Sequence, residues 1–115
     1  MDQNHLQPPY YVVIFSAQRT LGDNGYDATA ERMAELSASM PGFLGMEHAR
    51  GDDGFGITVC YWDSEEAIAN WKSNVDHVEA QSRGASEWYA DYRVRIGKVT
   101  RAYGKSEMKE SETNG

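Results

Sequence analysis

Phe43 to Trp62 reads "FLGMEHARGDDGFGITVCYW". Both halves are strand-like, and the second, "FGITVCYW", is dense in the β-branched and aromatic residues that fit a pleated surface. Between them stands "GDDG" (Gly51 to Gly54), a cluster of turn formers with room only for a tight connection. Two strands joined so briefly pair with each other, so the segment predicts a β-hairpin.

Upstream of the hairpin, "MPGF" stops a helix, because Pro41 and Gly42 extend one only at a cost. That helix is predicted from about Asn24 to Met40, where Tyr26, Ala30, Met33, Leu36 and Met40 recur at three- or four-residue spacing. Before it come a turn cluster, "TLGDNGYD", and a strand, "YYVVIFSAQ" (Tyr10 to Gln18). Downstream, Asp63 stands three residues before Glu66, a capping-box arrangement that opens a short helix in "DSEEAIANWK". Asp76 and Glu79 repeat the device and predict a second short helix, bent from the first near Ser73-Asn74. "SEWYADYRVRIGKVTRAYG" supplies a last strand from about Tyr89 to Tyr103.

The order strand, helix, strand, strand, helix pair, strand predicts an α+β fold. It is the ferredoxin-like βαββααβ arrangement, a four-stranded antiparallel sheet with helices on one face. Residues 1–9, ending in Pro8-Pro9, are expected to be a flexible lead-in, 10–104 the domain, and 105–115 a disordered tail. The strands are apolar on both faces: Tyr11, Val13 and Phe15 alternate with Tyr10, Val12 and Ile14, and Ile57, Val59 and Tyr61 with Cys60 and Trp62. Helices cover only one of those faces, so the other predicts a homodimer packed sheet against sheet.

At 115 residues the chain has room for one core. Its formal net charge of −7 repels phosphate backbones and anionic lipid surfaces, and its basic residues gather only modestly, at Arg93, Arg95, Lys98 and Arg101. Nucleic acid and membrane are therefore excluded as expected partners. No apolar run approaches the ~18 residues that cross a bilayer, and no signal peptide opens the chain, so a cytoplasmic location is expected. The single cysteine, Cys60, sits in a strand, where a thiol is inert. His5, His48 and His77 share no ligand spacing, so no metal site is predicted. "GDDGFG" precedes a strand rather than a helix and is not a phosphate-binding loop.

Three phrases, "MPGFLGMEHAR", "GITVCYWDSEEAIANWKSNVDHVEAQSRG" and "EWYADYRVRIGKV", together with the order of elements, resemble the antibiotic biosynthesis monooxygenase domain of the dimeric α+β barrel superfamily. The resemblance covers roughly Pro9 to Gly104. It implies a small oxygenase with no cofactor of its own, oxidising a hydroquinone- or phenol-like aromatic. Relatives in that superfamily degrade haem, so a haem-binding or haem-degrading enzyme is one alternative, and a non-catalytic dimer holding a small aromatic is another. The haem-degrading pattern places its ligating histidine where this chain has Gln81, and an asparagine where it has Ser16, Ala17 and Gln18.

Among the residues themselves, Trp71 shares the inward stripe of its helix with Ala67 and Ile68; packing alone explains such a residue, and its functional role would be an aromatic cavity wall, two roles that can coexist. His77 is either a helix residue following a cap at Asp76 or a proton acceptor for a phenolic hydroxyl. Gln81 lies one turn on from His77, on the same helix face, with an amide able to donate to an oxyanion. Tyr61, Trp62, Trp88 and Tyr92 are candidate pocket walls or interface aromatics, and Arg83 a candidate for an anionic oxygen or for a surface ion pair.

Overall fold

The computed structural model describes residues 6–20, 26–81 and 89–105, with side chains at 6–20, 31–75 and 91–105. The elements run β1 (Tyr10–Arg19), α1 (Tyr26–Ser39), β2 (Phe43–Arg50), β3 (Phe55–Trp62), α2 (Glu65–Gln81) and β4 (Tyr89–Val99). The strands form one sheet in the order β2-β3-β1-β4, with every neighbouring pair antiparallel. This is the α+β, ferredoxin-like arrangement that the sequence predicts.

Local details depart from that expectation. The predicted helix pair is a single helix, since α2 passes unbroken through Ser73-Asn74 and through Asp76. Asn74 turns its side chain back along the helix and donates from Nδ2 to the Asn70 carbonyl, 2.9 Å away. The cap of α2 is Ser64 rather than Asp63, for Ser64 Oγ accepts the Ala67 N–H at 3.1 Å. β4 stops at Val99, short of Tyr103, because Val99 pairs with Tyr10, where β1 itself begins.

The β2–β3 turn is closed by Gly51 N–H donating to the Phe55 carbonyl at 2.9 Å and by Asp53 Oδ1 accepting the Phe55 N–H at 3.0 Å. Gly54 takes a φ of +87° there, a conformation open to glycine and strained for other residues. Gln18 Nε2 donates to the Asp53 carbonyl at 2.7 Å, which ties the turn to the end of β1.

Strand register decides which side chains share a face. Tyr11 lies opposite Trp62, and Val13 opposite Cys60, so all four project from one side of the sheet. Both helices pack on that side. Ala67 and Ile68 of α2 join Val13, Cys60 and Trp62 in a buried cluster, with Met40, Phe43, Met46 and Trp71 packed against it. The helices stop short of β4. Tyr92, Val94 and Ile96 lie opposite Ala17, Phe15 and Val13, hence on the helix side, yet they are 60%, 42% and 55% exposed. The helix side thus has a filled zone over β2, β3 and β1, and an open aromatic and aliphatic zone over β4.

The opposite face carries Val12, Ile14 and Val59, which are half-buried, and Phe55 and Ile57, which are exposed. Glu47 flanks it on β2, and Arg93 and Arg95 flank it on β4. Among the described residues, no helix is long and apolar enough to cross a membrane.

Candidate functional site

The centre of the filled zone is a pair of indoles. Trp62, at the end of β3, is fully buried, with the Phe43 ring edge-on at 5.4 Å and the Trp71 ring tilted by 44° at 5.6 Å. Trp71 reaches this place because it follows Ala67 and Ile68 by four and three residues, one turn along the buried stripe of α2. It is only partly buried, unlike Trp62. Trp71 Nε1 donates to Ser37 Oγ at 2.7 Å, and Ser37 in turn donates to the Met33 carbonyl at 2.9 Å. Trp62 Nε1, by contrast, is buried with no hydrogen-bond partner.

Ser37 went unnoticed in the sequence. Its signal was a hydroxyl four residues after Met33 and three before Met40, on the apolar stripe of α1, where the structure buries it to 4% exposure.

The open zone begins where the filled one ends. The Phe15 and Tyr92 rings lie 5.6 Å apart at 30°, and Val94 and Ile96 extend the surface along β4. α2 carries His77 six residues beyond Trp71, about 9 Å further along the helix axis, and Gln81 one turn later. The side chains of His77 and Gln81 lie outside the described residues, as do Arg83 and Trp88 altogether. Of the candidate residues, the structure therefore brings Trp62 and Trp71 into contact, sets Tyr92 on the same side of the sheet, and places His77 and Gln81 on the last turns of the helix that bears Trp71.

Tyr61 requires a correction. It cannot line a chamber with Trp62, because neighbouring strand residues point to opposite faces. It projects from the face without helices, edge-on to the Tyr10 ring at 5.7 Å, and its hydroxyl donates to Glu47 Oε1 at 2.6 Å. Desolvation and the hydrogen bond to the Glu47 carboxylate push the phenol well above its ordinary pKa. Cys60 is on the helix side, and burial raises its thiol from 9.0 to about 11, so it stays protonated at neutral pH. Among the described residues, no group of three His, Cys, Asp or Glu side chains is placed to hold a metal ion.

At the end of β1, Ser16 and Gln18 face away from the helices, and the Gln18 amide is committed to the hairpin turn. Ala17, which faces the helices, is buried and offers no polar atom.

The family model for antibiotic biosynthesis monooxygenase matches residues 10–83, from the first residue of β1 to just beyond α2. The chain belongs to that family. The chain is also 53% identical over 95 residues to the uncharacterized protein YqjZ of Bacillus subtilis (strain 168), a match that covers 83% of each. Its fold also resembles that of a mutant of SnoaB, a cofactor-independent oxygenase from Streptomyces nogalater. There the TM-score is 0.67 at 11% identity, over 81% of this chain and 95% of that one. A mutant of MhuD, with two manganese protoporphyrin IX molecules bound per active site, gives 0.63 at 20% identity, over 82% and 98%. At such identities the likeness is one of fold.

Proposed function

We propose that this member of the antibiotic biosynthesis monooxygenase family is a cofactor-independent oxygenase acting on a small, electron-rich hydroxyarene. The observation that carries the reading is the open zone: Phe15, Tyr92, Val94 and Ile96, an apolar surface on the helix side that the two helices leave bare, adjoining Val13 of the core cluster that holds Trp62. A flat aromatic ring fits such a surface, since stacked and edge-on rings are favoured over contact with water. SnoaB, whose fold this chain shares, is itself a cofactor-independent oxygenase.

In this reading His77 removes the phenolic proton, and the resulting anion gives an electron to dioxygen. Carbon and oxygen then bond to form a hydroperoxide. Its O–O bond breaks, water leaves, and a carbonyl remains on the ring. Both oxygen atoms are reduced by electrons from the substrate, so no flavin or metal enters the balance. Gln81 donates to the developing oxyanion, and the aromatic walls keep water from the intermediate. The second face of the sheet, with Val12, Ile14, Ile57 and Val59, pairs with another copy of the chain.

Haem fits the residues poorly. The pattern's ligand position holds Gln81, a weak iron ligand beside histidine, and its asparagine position offers no amide on the helix side of β1.

The test follows oxygen consumption with dithranol and a panel of hydroquinones under air. The parent protein is expected to consume oxygen in proportion to substrate, and His77→Ala to lose about a hundredfold or more in kcat. A panel with no uptake above buffer ends the reading, and equal rates in the variant take the base role from His77.

A further inference from the structure

Resting on the reading of Trp71 as a wall for a flat ring, we infer that Ser37 is a positioning residue, whose hydroxyl sets the plane of the Trp71 indole and thereby the fit of the aromatic ligand.

The two indoles of the pair are held by different means. Trp62 is sealed at 0% exposure between Phe43 and Trp71, so packing alone fixes its ring, and its Nε1–H goes without a partner. The fold therefore tolerates an unbonded indole nitrogen in this zone. Trp71 is only partly buried, so packing holds its ring less completely than it holds that of Trp62. There the chain supplies a hydrogen bond, Trp71 Nε1 to Ser37 Oγ at 2.7 Å.

Ser37 is suited to the task because its own proton is already committed. It donates to the Met33 carbonyl at 2.9 Å, one turn back on α1, which orients the hydroxyl lone pairs outward toward α2. Serine is a poorer helix former than alanine, and a buried hydroxyl is costly unless bonded, so at 4% exposure the residue is explained by what it holds. The tie runs from α1 to α2 and holds the one indole of the pair that is not fully buried.

The experiment compares the parent with Ser37→Ala and Ser37→Thr in the full chain. Near-ultraviolet circular dichroism reads the coupling of the two indoles, calorimetric titration with dihydroxyanthraquinone reads binding, and oxygen uptake with dithranol reads turnover. Ser37→Ala is expected to lose most of the coupled indole signal while keeping its helix content. Its dissociation constant and its KM should rise about fivefold, as befits one lost hydrogen bond, with kcat little changed. Ser37→Thr, which keeps the hydroxyl, should return both toward the parent. Unchanged coupling or unchanged binding in Ser37→Ala overturns the inference. Should that variant fail to fold, nitrogen-edited proton NMR of the parent decides: dihydroxyanthraquinone must shift the Trp71 indole resonance, and a fixed resonance overturns the proposal. A parent that binds the probe without consuming oxygen sinks the oxygenase reading and leaves the role of Ser37 standing. A parent that does neither sinks both.

Discussion

Three side chains illustrate how far a single residue can be read from its neighbours in sequence. The inward place of Trp71 was legible, because a spacing of three and four from two apolar residues fixes a helix face. The separation of Tyr61 from Trp62 was also legible, since strand alternation assigns them to opposite faces, and grouping them in one pocket ran against that rule. Ser37 was not legible. One hydroxyl on an apolar stripe looks like noise until the indole that it binds, 34 residues away in the chain, is set beside it. Cys60 yields a prediction at the same scale. Burial raises its thiol from 9.0 to about 11, so the folded state holds the proton more tightly than the unfolded one does. The associated stability is complete below the lower value and is lost as pH rises through the higher. Melting temperature is expected to fall between pH 9.0 and about 11 in the parent, and less steeply in Cys60→Ala. In the folded protein at neutral pH, a thiol reagent should label Cys60 only as fast as the chain opens.

Elements were read well where a covalent reason fixed their ends and less well where a motif stood in for one. Pro41 and Gly42 stop α1 for backbone reasons, and Gly42 adds a packing reason. At φ +87° it sits so close to α2 that a Cβ would meet Asp63 Oδ1 at 2.5 Å and the Ala67 methyl at 2.6 Å. Gly42→Ala is therefore expected to cost about 2 kcal/mol or more in urea unfolding. The repeated Asp–Glu spacing misled, because a capping side chain acts only where the backbone leaves helical geometry, and Val75, just before Asp76, is buried in a helix that continues. The cap that does operate is Ser64, and Ser64→Ala should cost about 1 kcal/mol in the same measurement.

The β2–β3 pairing and the two-sided apolar strands of the whole molecule followed from hairpin length and alternation. The offset of the helices did not. Its cause lies in the connections: Met40 to Gly42 joins α1 to β2, and Asp63 and Ser64 join β3 to α2. These short leashes hold both helices toward the β2–β3 half, and β4 is left bare on the helix side. Chain pairing through the other face belongs to this scale. In the proposed dimer an aspartate at Val59 places a charge amid Val12, Ile14 and Ile57, so Val59→Asp is expected to halve the mass found by light scattering without changing the far-ultraviolet spectrum. An unchanged mass removes that face from the interface.

The unpartnered nitrogen of Trp62 also has an optical consequence. An indole shut away from water and bonded to nothing fluoresces toward the blue, and it shifts red as soon as solvent reaches it. With its ring wedged between a phenylalanine from β2 and a second tryptophan from α2, Trp62 is a built-in lamp whose colour tells whether sheet and helix are still together.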